Sequence, residues 1–142
     1  MDRGTGGPGS IVRSVVAVIA GYVVALLFVV AYFAIRGAVL GADAPPGTGG
    51  AVVSLLFGLA GAVAAGWVTA RLAPSDPMRH AVRLIALSLV VGILFTWVFP
   101  RGTPEEMALE PVWTRIGNLL VVIAGVPIGA RLAIGAAPGT RS

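Results

Sequence analysis

Few residues in this chain have the type and spacing to do chemistry. Gly4-Thr5-Gly6-Gly7-Pro8-Gly9 satisfies G-x-G-x-x-G letter by letter. That motif holds pyrophosphate only between a preceding strand and the dipole of a following helix. With Met1 three residues upstream there is no such strand, and the segment reads as a flexible tail. Arg71, Arg79, His80 and Arg83 gather around one connection, where they either meet anionic headgroups or follow the charge rule that orients membrane proteins. The second reading is the simpler one, and a lone loop histidine is expected to be solvated. Glu105, Glu106 and Glu110 could hold a cation weakly, but helix-start electrostatics accounts for the first two without one. The chain has no cysteine, one histidine and no lysine, which rules out disulfides, thiolate chemistry, His-pair metal sites and Schiff bases. No G-x-S-x-G, H-E-x-x-H or P-loop occurs. The expectation is no catalytic residue, no cofactor, no metal and no enzyme.

The elements that carry these residues are made for lipid. Of 142 residues 57% are hydrophobic and 11% charged, with a mean hydropathy of +0.95. A pI of 11.1 suggests nucleic acid, yet it rests on ten arginines against six acidic residues. These arginines sit singly or in small groups at the ends of apolar runs instead of forming a basic face, so no nucleic-acid partner is expected. Spanning about 30 Å of hydrocarbon at 1.5 Å per residue takes about 20 apolar residues. Four runs qualify, at 14–35, 51–70, 81–99 and 112–134. Fifteen uncharged residues separate Arg115 from Arg131, so both side chains must snorkel to opposite headgroup layers. No run carries a regular polar face, which excludes a soluble amphipathic bundle.

Pro45-Pro46-Gly47 and Pro74-Ser75-Asp76-Pro77 mark turns. Thr103-Pro104-Glu105-Glu106 fits a cap, a first-turn proline and a third-position glutamate, and so predicts a short surface helix. Residues 1–10 and 136–142 are expected to be disordered tails. Ala42-Asp43-Ala44 resembles a signal-peptidase site, but the run before it exceeds the 7–15 residues or so of a secretory h-region. The first span is therefore expected to stay in place. The fold class is all-α, a four-helix transmembrane bundle occupying 11–135.

Two features bear on packing. Gly58, Ala62, Gly66 and Ala70 recur every four residues in the second run, beside a row of Gly61, Ala65 and Thr69. Gly125, Gly129 and Ala133 repeat the spacing in the fourth. Such rows let helix backbones approach closely, so the second helix is expected to be central. No charge lies in mid-span; polar atoms at depth come from Tyr22, Ser54, Ser88, Thr96 and Asn118. Ser and Thr can satisfy themselves on their own helix, whereas Asn118 is expected to be buried and to bond a neighbouring helix. Pro127 should bend the fourth helix around 123–127 and free the Ile123 carbonyl, with Ser88 and Thr96 as nearby candidates. The shared endings Ala70-Arg71-Leu72-Ala73 and Ala130-Arg131-Leu132-Ala133, with Val-Arg opening the first and third runs, suggest two repeated hairpins related by an axis along the membrane normal.

These helix ends, Gly66-Trp67-Val68-Thr69-Ala70-Arg71-Leu72 and Gly129-Ala130-Arg131-Leu132-Ala133, resemble those of small four-helix integral membrane proteins of bacteria whose activity is uncharacterised. The resemblance covers about residues 11–135 and implies a bacterial inner membrane but no activity. The function expected is helix–helix interaction, as an assembly, accessory or regulatory subunit or as a homo-oligomer. The alternative is an oligomeric small transporter or channel subunit. The expected partners are the lipid bilayer and a second copy or another membrane protein.

Orientation follows from arginine. Arg3, Arg13, Arg71, Arg79, Arg83, Arg131 and Arg141 lie on the side of the termini and middle connection, and Arg36, Arg101 and Arg115 on the other. Retention of positive charge then puts both termini in the cytoplasm, with Trp67 at the inner interface and Trp97 and Trp113 at the outer. Reporter fusions at residues 46, 76, 106 and 142 should read exported, cytoplasmic, exported and cytoplasmic. An exported signal at 76 or 142 would overturn the orientation.

Overall fold

The computed structural model describes residues 8–41, 47–98 and 112–136. They form four helices: α1 (Pro8–Leu40), α2 (Thr48–Leu72), α3 (Pro77–Val98) and α4 (Val112–Gly135). All four are long and apolar enough to cross a membrane. The expected surface helix around Glu105 and the outer parts of both tails lie outside the described residues.

Helix α1 is longer than the apolar run that nucleates it. Its 33 residues make about 50 Å, well beyond a hydrocarbon core of about 30 Å. The expectation that residues 1–10 are all tail is corrected, because Pro8, Gly9 and Ser10 are helical. A proline costs nothing in a first turn, where its missing N–H has no helical acceptor to serve. At the far end Gly41, with φ +88°, donates its amide to the Gly37 carbonyl at 3.0 Å. This left-handed glycine closes the helix and absorbs a carbonyl that would otherwise be orphaned. The helix thus ends at Leu40, five residues beyond the apolar run at 14–35.

The α2–α3 connection is built on Asp76. Its φ of 44° is the sole positive value at a non-glycine among the described residues. The turn pays off in capping: the Arg79 amide lies 3.1 Å from the Asp76 carbonyl and 3.4 Å from its Oδ1, and Arg79 Nε lies 2.7 Å from Oδ2. Pro77 then occupies the first helical position. This start precedes the expected one at Ala81 and draws His80 into the first turn of α3. His80 is 3% exposed, beside Ala81 at 0% and Leu84 at 1%. The expectation of a solvated loop histidine is therefore corrected.

Helix α2 packs against each of the other three, and α3 also touches α1 and α4, whereas α1 and α4 do not meet among the described residues. The buried apolar side chains are mostly alanine: Ala17, Ala62, Ala65, Ala70, Ala81, Ala130 and Ala133, with Leu84 and Val126. Large apolar side chains such as Leu27, Val30 and Leu120 point outwards and are about 60% exposed. Small residues inside and large apolar residues outside invert the soluble pattern and fit a bundle solvated by lipid.

Two substitutions separate the turn's cap from its strain. Asp76→Ala loses the cap and keeps the left-handed φ, and should cost about 1–3 kcal/mol. Asp76→Gly loses the cap but relieves the backbone, and should cost less than half as much in a detergent unfolding titration. Equal losses would show that φ carries no strain here.

Candidate functional site

The most constructed part of the molecule is the surface of α2, where two rows of small residues serve two different helices. Gly61, Ala65 and Thr69 face α1. A Cβ on Gly61 would stand 2.8 Å from Phe28 Cβ, and one on Gly21 of α1 would overlap Thr69 Oγ1 and lie 2.8 Å from the Ala65 carbonyl oxygen. Ala17, one turn before Gly21, is fully buried. Higher up, the Tyr32 hydroxyl donates to the Gly50 carbonyl at 3.1 Å, and its ring packs at 5.9 Å from that of Phe57. These pairings run in opposite directions along the two chains, so α1 and α2 are antiparallel.

The other row, Gly58, Ala62 and Gly66, faces α4. A Cβ on Gly66 would overlap the Val126 carbonyl, whose carbon would be 2.8 Å away. One on Gly125 would lie 2.7 Å from Ala62 Cβ, and one on Gly129 would overlap the Val63 carbonyl and lie 2.9 Å from the Trp67 amide nitrogen. Here the pairings advance together, so α2 and α4 are parallel. The two backbones are in contact at Gly66 and Gly129, where only hydrogen fits. Gly58 is looser, since a Cβ there would meet Val121 Cγ1 at an ordinary 3.5 Å. Ala70 is 6% exposed and ends the row.

Pro127 sits at this seam. Its neighbour Val126 is 2% exposed, and the helix continues through the proline to Gly135. Ser88 is half-buried on α3, and the side chain of Thr96 lies outside the described residues. Asn118 departs from expectation: it is exposed at the rim of the α2–α4 seam, with Oδ1 3.8 Å from where a Gly58 Cβ would stand. Its burial is corrected because the fourth helix turns Gly117, not Asn118, towards Leu55 of α2, with both Cδ atoms 3.0 Å from a Cβ placed on that glycine.

Four arginines collect at one end. Arg71, Arg79, Arg83 and Arg131 are all exposed there, brought together by the last turns of α2 and α4 and the first turns of α3. Arg71 stacks on Trp67, its guanidinium carbon 5.0 Å from the ring centre, a cation–π contact of the kind found at membrane interfaces. Trp113 lies at the opposite end of the bundle. The side chain of Trp97 and the residues Glu105, Glu106 and Glu110 fall outside the described residues.

Three buried polar atoms have no hydrogen-bond partner among the described residues: Thr69 Oγ1, His80 Nε2 and Thr114 Oγ1. His80 Nδ1 lies 3.1 Å from the Asp76 carbonyl. A carbonyl only accepts, so Nδ1 carries the hydrogen of this bond. The burial of His80 is not legible in the residues, and Ala17 and Gly21 go unread there, although Ala17-x-x-x-Gly21-x-x-x-Ala25 repeats the small-residue spacing of α2. No family model, curated protein or solved structure matches this chain.

Substitution by the smallest side chain tests the seam. Gly66→Ala and Gly129→Ala force a methyl into backbone and should each destabilise the bundle by about 1–3 kcal/mol. Gly58→Ala should be neutral or stabilising by up to about 1 kcal/mol, from helix propensity alone. Equal effects of Gly58→Ala and Gly66→Ala on detergent stability would contradict the geometry.

Proposed function

We propose that the chain is a multi-pass protein of a bacterial inner membrane, with both termini cytoplasmic, that acts through helix–helix interaction. Its role is that of an assembly, accessory or regulatory subunit, or of a homo-oligomer, rather than of an enzyme. The observation that carries this reading is Asn118. It lies about 9 Å into α4 at 1.5 Å per residue, exposed on the bundle and without a hydrogen bond among the described residues. Asn118 is three residues, about 4.5 Å, further along α4 than Arg115, and where it faces hydrocarbon an amide leaves its donors and acceptor unsatisfied, which is costly. A polar group on a second helix satisfies it, and such interhelical hydrogen bonds are worth about 0.6–2 kcal/mol.

The apolar outer surface supports the same reading. Gly66, Gly125 and Gly129 are used inside the chain, so a partner must use other contacts, and Asn118 is an exposed amide on α4 between Arg115 and Arg131. The positive end formed by Arg71, Arg79, Arg83 and Arg131 supports the cytoplasmic placement of the α2–α3 connection.

The chain has no cysteine, so a single Asn118→Cys substitution reports proximity cleanly. Oxidative cross-linking in native membranes should give one discrete product, either a dimer or an adduct with a stoichiometric partner. Asn118→Leu should reduce co-purification of that partner, or dimer yield, by about 3- to 30-fold, as expected for 0.6–2 kcal/mol. Absence of any product, with Asn118→Leu indistinguishable from the native chain, would contradict the proposal.

A further inference from the structure

Because α1 and α4 do not meet, the face of α2 between them is left open. It forms an apolar groove lined by Leu56, Ala60, Val63, Ala64, Trp67 and Val68. From Leu56 to Val68 the groove runs about 18 Å at 1.5 Å per residue, close to the depth of one leaflet, about 15 Å. The small side chains of Ala60 and Ala64 lower its floor, and its cytoplasmic mouth is not apolar. Arg71 follows one turn after Trp67 on the same face and stacks on the indole. Arg71 is exposed and has no carboxylate partner among the described residues, unlike Arg79, which is paired with Asp76.

We propose that this groove binds an anionic phospholipid of the inner leaflet. One acyl chain lies along Ala60 and Ala64, and the headgroup phosphate is held by the Arg71 guanidinium. Apolar length, interfacial indole and unpaired cation stand in the order that a lipid presents its chain, glycerol region and phosphate. Guanidinium is suited to the phosphate end, since its planar donors match two oxygens at once. The stacking on Trp67 holds Arg71 over the groove mouth rather than letting it extend into water. This inference rests on the membrane-spanning reading.

The test is quenching of Trp67 by brominated lipid chains. In the full-length chain carrying Trp97→Phe and Trp113→Phe, Trp67 is the remaining tryptophan. Reconstituted in phosphatidylcholine vesicles, it should be quenched by brominated phosphatidylglycerol with an apparent association about fivefold stronger than by brominated phosphatidylcholine, the factor equivalent to about 1 kcal/mol for one cation at the surface. Arg71→Gln should bring the two lipids to parity, and Arg71→Lys should keep most of the preference. Arg79→Gln should leave it intact. Ala60→Leu, which fills the floor and leaves every charge in place, should lower quenching by both lipids.

Equal quenching by the two lipids, or a preference that survives Arg71→Gln, would overturn the lipid site while leaving the membrane reading intact. Quenching by neither lipid at any protein dilution would overturn both. Quenching that emerges only on diluting the protein in lipid would replace the phospholipid with a second copy of the chain.

Discussion

Backbone-to-backbone contact along α2 is the interaction on which the rest of the bundle depends. Lipid tails are as apolar as leucine, so burying leucine between helices gains little in a bilayer, and dispersion at close approach has to hold them together. Two faces of α2 meet this constraint. Gly61 and Ala65 admit Phe28 and Gly21 of α1, while Ala62 and Gly66 admit Gly125 and the Val126 carbonyl of α4. A helix with bulky residues on either face would hold one neighbour and lose the other.

The remaining arrangement follows from that double use. With α1 and α4 on separate flanks of α2, they are kept apart, and α3 closes the back by touching all three. The front of α2 is left open by that packing, and the apolar groove there is the proposed lipid site. Polar groups are displaced to the ends: Asp76 caps α3, the Arg71–Trp67 stack sits at the groove mouth, and arginines from three helices share one face. Asn118 breaks this separation, because its depth in α4 is set by the register of Gly117 and Gly125 with α2. The proposed association with another helix grows from that conflict between packing and polarity.

The parts of this architecture governed by local spacing were legible in the residues. The four helices follow from apolar run length, and the centrality of α2 from its four-residue repeat of glycine and alanine. Which row faces which helix was not legible, because both rows have the same spacing and the choice is made by the partners' own small residues. Ala17 and Gly21 were readable in principle but are embedded among valines that dominate the hydropathy. Apolar run length starts α3 at Ala81 and leaves His80 in the loop, whereas the Asp76-Pro77 pair begins the helix a turn earlier. Chemical grounds alone put Asn118 inside; the rotation of about 100° between it and Gly117 puts it at the rim, and run length carries no information on rotation.

Helices α2 and α4 are in contact where Ala62 meets Gly125, and exchanging these two residues probes that contact. Gly125→Ala alone brings two methyl groups to 2.7 Å and should destabilise the bundle by about 1–3 kcal/mol. Adding Ala62→Gly returns the seam to one methyl, now supplied by the other helix. The account predicts that the double variant regains most of the lost stability in a detergent unfolding titration, with a coupling of about 1 kcal/mol or more. Additive losses from the two substitutions would show that these residues do not touch, and would contradict the packing from which the rest of the structure has been derived.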